Sequence, residues 1–359
     1  MVPYFLLIIL PLLIGLVGQK YRITSGGKIL YETQSAGIDV FMLLFALLLA
    51  CRGLQCGTDT RQYLNLYREY SACSFSALFR TYDHELGYKL LNWLIGNTAG
   101  DFQWLLIVSA AICVYPLWYF YRRESEHQML TIVLFLTVAP FVMYFSGIRQ
   151  AIAVSMGVPA WYAAKNKKLP AFLAVVLLAM QFHTSAFVLL LVYPLYHANI
   201  TKKWLWFVVP CMAAVFVFRT AIFRFLMTFL WKDYGIAGQT GATAILMLLV
   251  LFALYAYILP ADDALDKDTA AMRNILLLSV VIQIFAMLHP LSMRMNYYFL
   301  ILVPVLLPKI ANRSKKMFSS VAPLSVVIMT AFFACYFLNS VIHDDDALNI
   351  FPYIPFWNQ

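Results

Sequence analysis

Four short polar stretches interrupt an otherwise apolar chain of 359 residues, and each contains groups that could bind phosphate or move a proton. They centre on Arg52 with Asp59, on Arg149 with Gln150, on His183 with Thr184, and on Arg294. A guanidinium group can bind phosphate oxygens through two parallel hydrogen bonds, and a nearby carboxylate or imidazole can act as a general base. The set therefore predicts a site for a phosphate-bearing substrate.

Each of these residues also has a structural interpretation. Asp59 equally fits the N-cap of a helix that begins near Thr60. Arg149 could instead reach a lipid headgroup phosphate, and His183 could make a hydrogen bond between helices. Convergence of four such groups from distant parts of the chain onto one face is harder to explain structurally, so the pattern favours a functional site.

The rest of the chain must position these groups within a membrane. Hydrophobic residues make up 63% of the chain and charged residues 12%, against about a quarter charged in soluble domains. We interpret the apolar runs as about twelve spans, some short or broken: 2–18, 36–53, 101–121, 129–145, 148–164, 169–182, 186–198, 204–219, 241–259, 273–288, 296–311 and 321–341. These predict an all-α, polytopic integral membrane protein with one transmembrane domain over residues 1–359.

The basic residues predict its orientation. Eleven of the thirteen lysines fall in one alternate set of loops, which the positive-inside rule makes cytoplasmic, whereas eight of the thirteen arginines fall in the other set. The net charge of +9 therefore indicates loops near anionic headgroups and gives no reason to expect nucleic-acid binding. The four polar stretches then face outward.

Two outer loops are long enough to build a site, residues 52–100 and 219–240. Within the first, residues 86–97 are too short and too polar to span comfortably, which favours a re-entrant or interfacial helix. The second is predicted to be an amphipathic helix lying in the membrane interface. Cys56 and Cys73 share the first loop, and whether they pair is left open.

The ordered motifs resemble those of the EpsG family of bacterial exopolysaccharide proteins, relatives of Wzy-type polysaccharide polymerases. They are Arg52 with Gly57-Thr58-Asp59 and Tyr63, Glu85-x-Gly87-Tyr88, Arg149-Gln150-x-Ile-Ala153, His183-Thr-Ser-Ala186, Arg294 with Tyr298, and Pro352-Tyr353. The resemblance implies a membrane glycosyltransferase of the GT-C type in the bacterial cytoplasmic membrane, with its active site facing outward. It would use a polyprenyl-pyrophosphate-linked sugar donor in exopolysaccharide, capsule or O-antigen synthesis.

The residues fit that chemistry independently. The leaving pyrophosphate gathers negative charge in the transition state, and preorganised arginines can stabilise it. We expect Arg149 and Arg294 to hold it, assisted by Arg52 and Gln150. Candidate bases are Asp59 first, then Glu85 and His183, of which His183 would also position a substrate. Tyr63, Tyr88 and Thr184 are expected to bind sugar.

The expected partners are the lipid-linked donor and acceptor saccharides, membrane lipids, and other assembly proteins such as a flippase and a chain-length regulator. No cofactor or metal is expected, since metal-ligand spacing and paired carboxylates are not evident in the sequence. Two alternatives stay open. A transporter or flippase of lipid-linked saccharide could use the same arginines, and a membrane O-acyltransferase could modify the glycan.

Overall fold

The computed structural model describes residues 1–17, 20–23, 29–32, 36–80, 84–229, 235–236, 238, 241–344 and 348–358. Nearly all regular structure in these ranges is helical, as the continuous apolar runs predict. The α-helices are α1 Val2–Val17, α2 Ala36–Cys51, α3 Thr60–Ala72, α4 Leu86–Thr98, α5 Phe102–Glu124, α6 Gln128–Thr137, α7 Phe141–Ser146, α8 Ile148–Ser155, α9 Gly157–Lys165, α10 Leu169–Met180, α11 Val192–His197, α12 Leu205–Phe229, α13 Ala242–Ile258, α14 Lys267–Ala286, α15 Pro290–Leu300, α16 Val303–Asn312 and α17 Val321–Ile342.

Short 3-10 turns and one small sheet complete the fold. The turns are Phe75–Phe79, Thr184–Leu191, Lys202–Trp204, Asp262–Ala264, Lys316–Phe318 and Phe356–Asn358. Strands β1 Lys20–Ile23 and β2 Ile29–Glu32 form an antiparallel hairpin between α1 and α2, in which Tyr21 is opposite Tyr31. The all-α prediction did not include this hairpin.

The apolar helices are those of a membrane protein, but the prediction of twelve spans is not confirmed. Four helical segments of the described chain are long and apolar enough to cross a bilayer alone, namely Phe102–Glu124, Lys202–Thr228, Lys267–Ala286 and Val321–Ile342. The pair α15 and α16, bent by 49°, would make a fifth span. Other predicted spans divide into shorter pieces. The run 129–145 breaks at Pro140, which has no amide hydrogen to continue the helix.

The second predicted loop is wrong at its start. Helix α12 continues without a break through Arg219 and Arg224 as far as Phe229, so no separate helix begins at residue 219. The Arg219 guanidinium donates a 2.7 Å hydrogen bond to the Phe216 carbonyl and lies 4.5 Å over the Phe216 ring, contacts that keep it on its own helix. Residues 230–234, 237 and 239–240 of this loop lie outside the described residues.

Aromatic packing between α2, α6 and α7 forms much of the interior. The buried Phe45 ring lies 5.3 Å from Phe135, 5.4 Å from Phe141 and 5.6 Å from Tyr144. Large rings of this kind bury much apolar area in few rotamers, so they make a stiff support. Helix α8, which follows α7 directly, therefore starts from a fixed base.

The loop 52–100 folds over this base as two packed helices, α3 and α4. The predicted helix over 86–97 is confirmed as Leu86–Thr98, whereas its relation to the bilayer stays a prediction. All six cysteines are free: the Cys56 thiol is directed at the Ile350 carbonyl and the Cys73 thiol at the Tyr70 carbonyl. Cys56 and Cys73 therefore do not form a disulfide in this structure.

Residues 348–355 lie along the beginning of the same loop. The amides of Gly53, Gly57 and Thr58 donate to the carbonyls of Ile354, Asn349 and Leu348 at 2.8, 2.9 and 3.0 Å, respectively.

Two tyrosine hydroxyls fasten this segment to the ends of α1 and α2. Tyr4 donates to the Ile350 carbonyl at 2.7 Å, and Tyr353 donates to the Leu48 carbonyl at 2.9 Å. Ile350 is fully buried beneath these contacts. The segment thus holds the short connection between α2 and α3 in place.

Candidate functional site

The centre of the site is an ion pair between Arg149, the second residue of α8, and Glu85, the residue before α4. The Arg149 Nη1 donates to Glu85 Oε2 at 2.6 Å, and both side chains are partly exposed, by 24% and 17%. The Arg149 Nε is buried without a hydrogen-bond partner among the described residues. The guanidinium is therefore held on one edge and keeps an unsatisfied donor on another.

Glu85 reaches this position because it does not cap its own helix. It occupies the N-cap position of α4 in an extended conformation, but its side chain makes no capping hydrogen bond. Its other oxygen, Oε1, accepts from the Thr184 amide at 2.9 Å and from the Thr184 hydroxyl at 3.0 Å. The carboxylate therefore bridges α8 and the turn that begins at Thr184.

Gly87 allows this close approach of α4. A β-carbon at this position would lie 2.7 Å from the Gln181 carbonyl oxygen, and the next amide, of Tyr88, donates to the same carbonyl at 3.2 Å. A larger residue would push the start of α4 away from the 181–184 turn. The glycine of the Glu85-x-Gly87 motif thus keeps Glu85 within reach of Thr184.

These contacts set the ionisation of Glu85. Burial alone would raise the pKa of the carboxyl, but the two Thr184 hydrogen bonds and the Arg149 charge outweigh it and lower the pKa below its ordinary value. A carboxylate that is held ionised by three donors is a weak base. Glu85 is therefore better placed to orient Arg149 than to take a proton.

His183 lies at the start of the Thr184–Leu191 turn and caps it. Its Nδ1 accepts from the Ser185 amide at 3.3 Å and lies 2.6 Å from the Ser185 hydroxyl, which in turn is 3.0 Å from the Tyr298 hydroxyl of α15. Since Nδ1 acts as an acceptor, the neutral ring carries its proton on Nε2. That nitrogen can donate to a substrate oxygen.

The charge state of His183 follows from its surroundings. Burial lowers the pKa of the imidazole to about 4, with Glu85 opposing the shift and Arg149 and Arg294 adding to it. The ring is therefore neutral near pH 7. Both arginines act on this one imidazole, although they come from helices far apart in the chain.

The side chain of Arg294 is on the exposed face of α15 and makes no hydrogen bond or ion pair among the described residues. Its backbone is fixed, because the Gln150 side-chain amide donates to the Arg294 carbonyl at 2.7 Å. Gln150, which we expected to assist phosphate binding, is 6% exposed and uses this donor to join α8 to α15. Gln150 therefore helps to position Arg294.

Asp59 precedes α3, as predicted, but its carboxylate does not cap the helix. Oδ1 accepts from the Thr58 hydroxyl at 3.0 Å, and the Asp59 amide donates to the Ser146 hydroxyl at 3.3 Å. Gly57, at φ +91°, makes this contact possible, since a β-carbon there would lie 2.3 Å from the Phe145 carbonyl oxygen. The turn thus rests against the end of α7, three residues before Arg149.

Tyr63 lies close to Arg149. The pKa of its phenol is raised by burial, lowered by Arg149 and raised further by the charge of Asp59. The Tyr63 and Tyr88 rings pack edge to face at 5.7 Å, and the Arg149 guanidinium lies 5.9 Å from the Tyr88 centroid.

The sugar-stacking prediction for Tyr63 and Tyr88 needs correction. Tyr63 is 6% exposed and Tyr88 is fully buried, so neither ring offers a free face to a sugar. Both instead form the floor beneath Arg149. Thr184, the third predicted sugar ligand, is exposed, although its hydroxyl is bound to Glu85.

Arg52 does not join the ion pair at the centre of the site. It is 2% exposed, and its Nη1 donates at 2.8 Å to the Leu49 carbonyl at the end of α2. A cation at this place complements the negative end of the helix dipole. In the described chain its guanidinium contacts none of Arg149, Glu85 and Arg294, so the structure assigns it to the support of the site.

The structure therefore brings together Arg149, Glu85, Thr184, His183 and Arg294, places Asp59 beside them through Tyr63 and Ser146, and leaves Arg52 and Gln150 in supporting positions. Sequence reasoning missed Ser146, whose hydroxyl also lies 2.7 Å from the Thr58 hydroxyl. Its position directly before the Gly147-Ile-Arg motif was the only signal.

Comparison with known proteins identifies the family. No curated protein and no solved structure matches the chain. A model of the EpsG family matches residues 38–354, which is nearly the whole chain and includes every site residue described above. The resemblance seen in the ordered motifs is thereby confirmed, and the chain belongs to the EpsG family.

Proposed function

We propose that this protein is a membrane glycosyltransferase of the polysaccharide-polymerase type. It joins polyprenyl-pyrophosphate-linked oligosaccharide units on the outer face of the bacterial cytoplasmic membrane during exopolysaccharide synthesis. Membership of the EpsG family supports a role in exopolysaccharide assembly. The observation that carries the proposal is the geometry of the cluster: Arg149 is held by Glu85, which also binds Thr184, and α15, which carries the side chain of Arg294, unpaired among the described residues, is joined to α8 through Gln150.

In the proposed reaction the acceptor hydroxyl oxygen attacks the anomeric carbon of the donor. The bond from that carbon to the pyrophosphate oxygen breaks, and the polyprenyl pyrophosphate leaves with the electron pair. Arg149 and Arg294 bind the phosphates and stabilise the charge that grows on them. His183 donates from Nε2 to a phosphate or sugar oxygen.

The acceptor proton passes to Asp59. Among the three candidate bases, Glu85 is held ionised by Arg149 and Thr184, and the free nitrogen of His183 already carries a proton. Asp59 accepts a hydrogen bond from Thr58 alone among the described side chains, which leaves a carboxylate oxygen for the acceptor hydroxyl. Glu85 orients Arg149 until substrate arrives.

The test is to incubate purified protein in lipid nanodiscs with a synthetic polyprenyl-pyrophosphate oligosaccharide. We expect a ladder of longer saccharides and one released polyprenyl pyrophosphate for each bond formed. Arg294→Gln should slow the reaction about tenfold, because one phosphate ligand is lost. Arg224→Gln, an exposed arginine on α12, should behave as the unchanged protein.

Two other outcomes would identify a different function. Binding and transbilayer movement of the lipid-linked saccharide without any lengthening would identify a transporter or flippase. Acyl transfer to the saccharide, again without lengthening, would identify an O-acyltransferase. If lengthening requires added assembly proteins, a flippase or a chain-length regulator would be a functional partner of the polymerase.

A further inference from the structure

A cleft lies between α5 and α9 and runs along α9 from Val158 to Asn166. Its volume is about 620 Å³. Residues 149 and 165 mark the two ends of the α8–α9 segment, and a helical rise of 1.5 Å per residue separates them by about 24 Å. The Lys165 end of the cleft is therefore remote from the candidate active site.

The walls of this cleft change from apolar to cationic along its length. On α5, Tyr115, Tyr119 and Arg123 follow one another at intervals of four residues and so share one helix face. On α9 and its C-cap the same spacing relates Val158, Tyr162 and Asn166. Both helices thus present apolar and aromatic groups at one end and polar groups at the other.

The cationic end has one guanidinium in excess. Glu124 accepts from Lys309 at 2.6 Å and lies 3.6 Å from Lys165, which also pairs with Asp268. These two lysines and two acids balance each other. Arg123 is exposed and makes no ion pair among the described residues, although its guanidinium lies 4.3 Å over the Tyr119 ring.

The neighbouring chain adds to this positive charge. Lys167 and Lys168, directly after α9, are both exposed. An aromatic ring beneath Arg123 fixes the guanidinium in one plane, and such a stacked, unpaired guanidinium is suited to phosphate oxygens. The Tyr119 and Tyr162 rings meet edge to face at 5.6 Å and close the floor of the cleft.

We propose that this cleft binds an anionic phospholipid, with the phosphate-bearing headgroup on Arg123 and an acyl chain along Tyr115 and Val158. A soluble phosphate would use Arg123 but would gain nothing from the apolar end. A phospholipid has both parts in the required order. The two ends of the cleft therefore favour a lipid over a free phosphate compound.

Native mass spectrometry of delipidated protein in detergent can test this site. Phosphatidylglycerol should bind at least tenfold more tightly than phosphatidylcholine of the same acyl chains. Arg123→Gln should abolish most of this preference, and Tyr115→Ala should weaken both lipids. Arg122→Gln is the matched control, because Arg122 is an exposed neighbour that is already paired with Asp39 at 3.0 Å.

Glycerol phosphate and inorganic phosphate form the second arm of the experiment. If either competes with phosphatidylglycerol at equal concentration, the ligand is a soluble phosphate compound and the lipid proposal is overturned. Equal affinity for the two lipids, or an unchanged preference in Arg123→Gln, would overturn it as well. Size-exclusion chromatography of each variant shows that lost binding does not reflect unfolding.

Discussion

The two ends of the α8–α9 segment both carry charged clusters, but the clusters are built differently. At the Arg149 end, Arg149 retains an unsatisfied donor and Arg294 is unpaired among the described residues. At the Lys165 end, the amines of Lys165 and Lys309 are matched by carboxylates, and the adjacent Arg123 lies outside this balanced set. A balanced cluster fastens helices together, whereas a cluster with spare donors can accept a ligand. The comparison separates residues that should matter for catalysis from those that should matter for folding.

Arg149→Lys should have the largest effect. Lysine keeps the charge but lacks the planar fork, so it cannot hold Glu85 and a phosphate together. We expect the polymerisation rate to fall about 1000-fold, or about 4 kcal/mol in activation free energy, with an unchanged unfolding midpoint. Initial rates with purified protein and synthetic lipid-linked saccharide measure this. A normal rate and chain length would remove Arg149 from the site.

Lys309→Met should reduce the stability of the protein and leave the polymerisation rate nearly unchanged. Lys309 is 6% exposed, and its loss leaves the Glu124 carboxylate short of a partner in a mostly buried place. We expect the free energy of unfolding in mixed micelles to fall by about 3 kcal/mol, with the rate per folded molecule within about twofold. Arg122→Met, which breaks an exposed pair with Asp39, should cost less than about 1 kcal/mol. A loss of activity in fully folded Lys309→Met would contradict the assignment of the lysine cluster to folding.

Asp59→Asn should slow the reaction by about 100-fold, because the amide cannot take the acceptor proton. The Thr58 hydroxyl can still donate to the amide oxygen, so the turn should keep its shape. Glu69→Gln is the matched control, since Glu69 is an exposed acid on α3, the helix that Asp59 precedes. Full activity in Asp59→Asn would exclude this residue as the base and return the role to Glu85 or His183.

The smallest expected effect is that of pH on the rate. With a pKa of about 4, His183 stays neutral down to about pH 5, and Glu85 stays ionised over the same range. Neither group should therefore change the rate constant between pH 5.5 and 7.5. An activity loss centred near pH 6.5 would show that His183 titrates normally and that the two arginines are not beside it.

The same shift predicts how stability depends on pH. Because the pKa of His183 is lower in the folded than in the unfolded chain, the unfolded state takes up a proton first as the pH falls. The free energy of unfolding should therefore decrease from about pH 6.5 to about pH 4. His183→Gln should reduce this decrease, which denaturant titrations at several pH values can measure.

Local signals in the sequence predicted individual helix starts better than the arrangement of the helices. The starts of α3 at Thr60 and α4 at Leu86 follow from polar residues before periodic segments, and the four polar stretches were found from residue type alone. Apolar runs report burial but not where a helix breaks, which is why twelve continuous spans are not confirmed. The extra turns of α12 beyond Arg219 were missed because an arginine within an exposed helix resembles a helix end.

Contacts between distant residues could not be predicted in this way. The pairing of Arg149 with Glu85 joins positions 64 apart, and nothing in either motif specifies the other. The burial of Tyr63 and Tyr88 depends on how α3 and α4 pack, which their composition does not determine. Gly57 and Gly87 were visible as motif residues, but their close approaches to Phe145 and Gln181 emerge only in three dimensions.

The docked segment 348–355 has a consequence for how the protein is made. Cys56 and Ile350, which meet where this segment covers the loop before Asp59, are 294 positions apart in the chain. At about 5 to 20 residues per second, a ribosome needs about 15 to 60 s to travel that distance. Throughout this interval the turn that carries Asp59 lacks the backbone partners of Gly53, Gly57 and Thr58. The last contacts of the site thus form late in synthesis, and a nascent chain that stops short of this segment cannot form them.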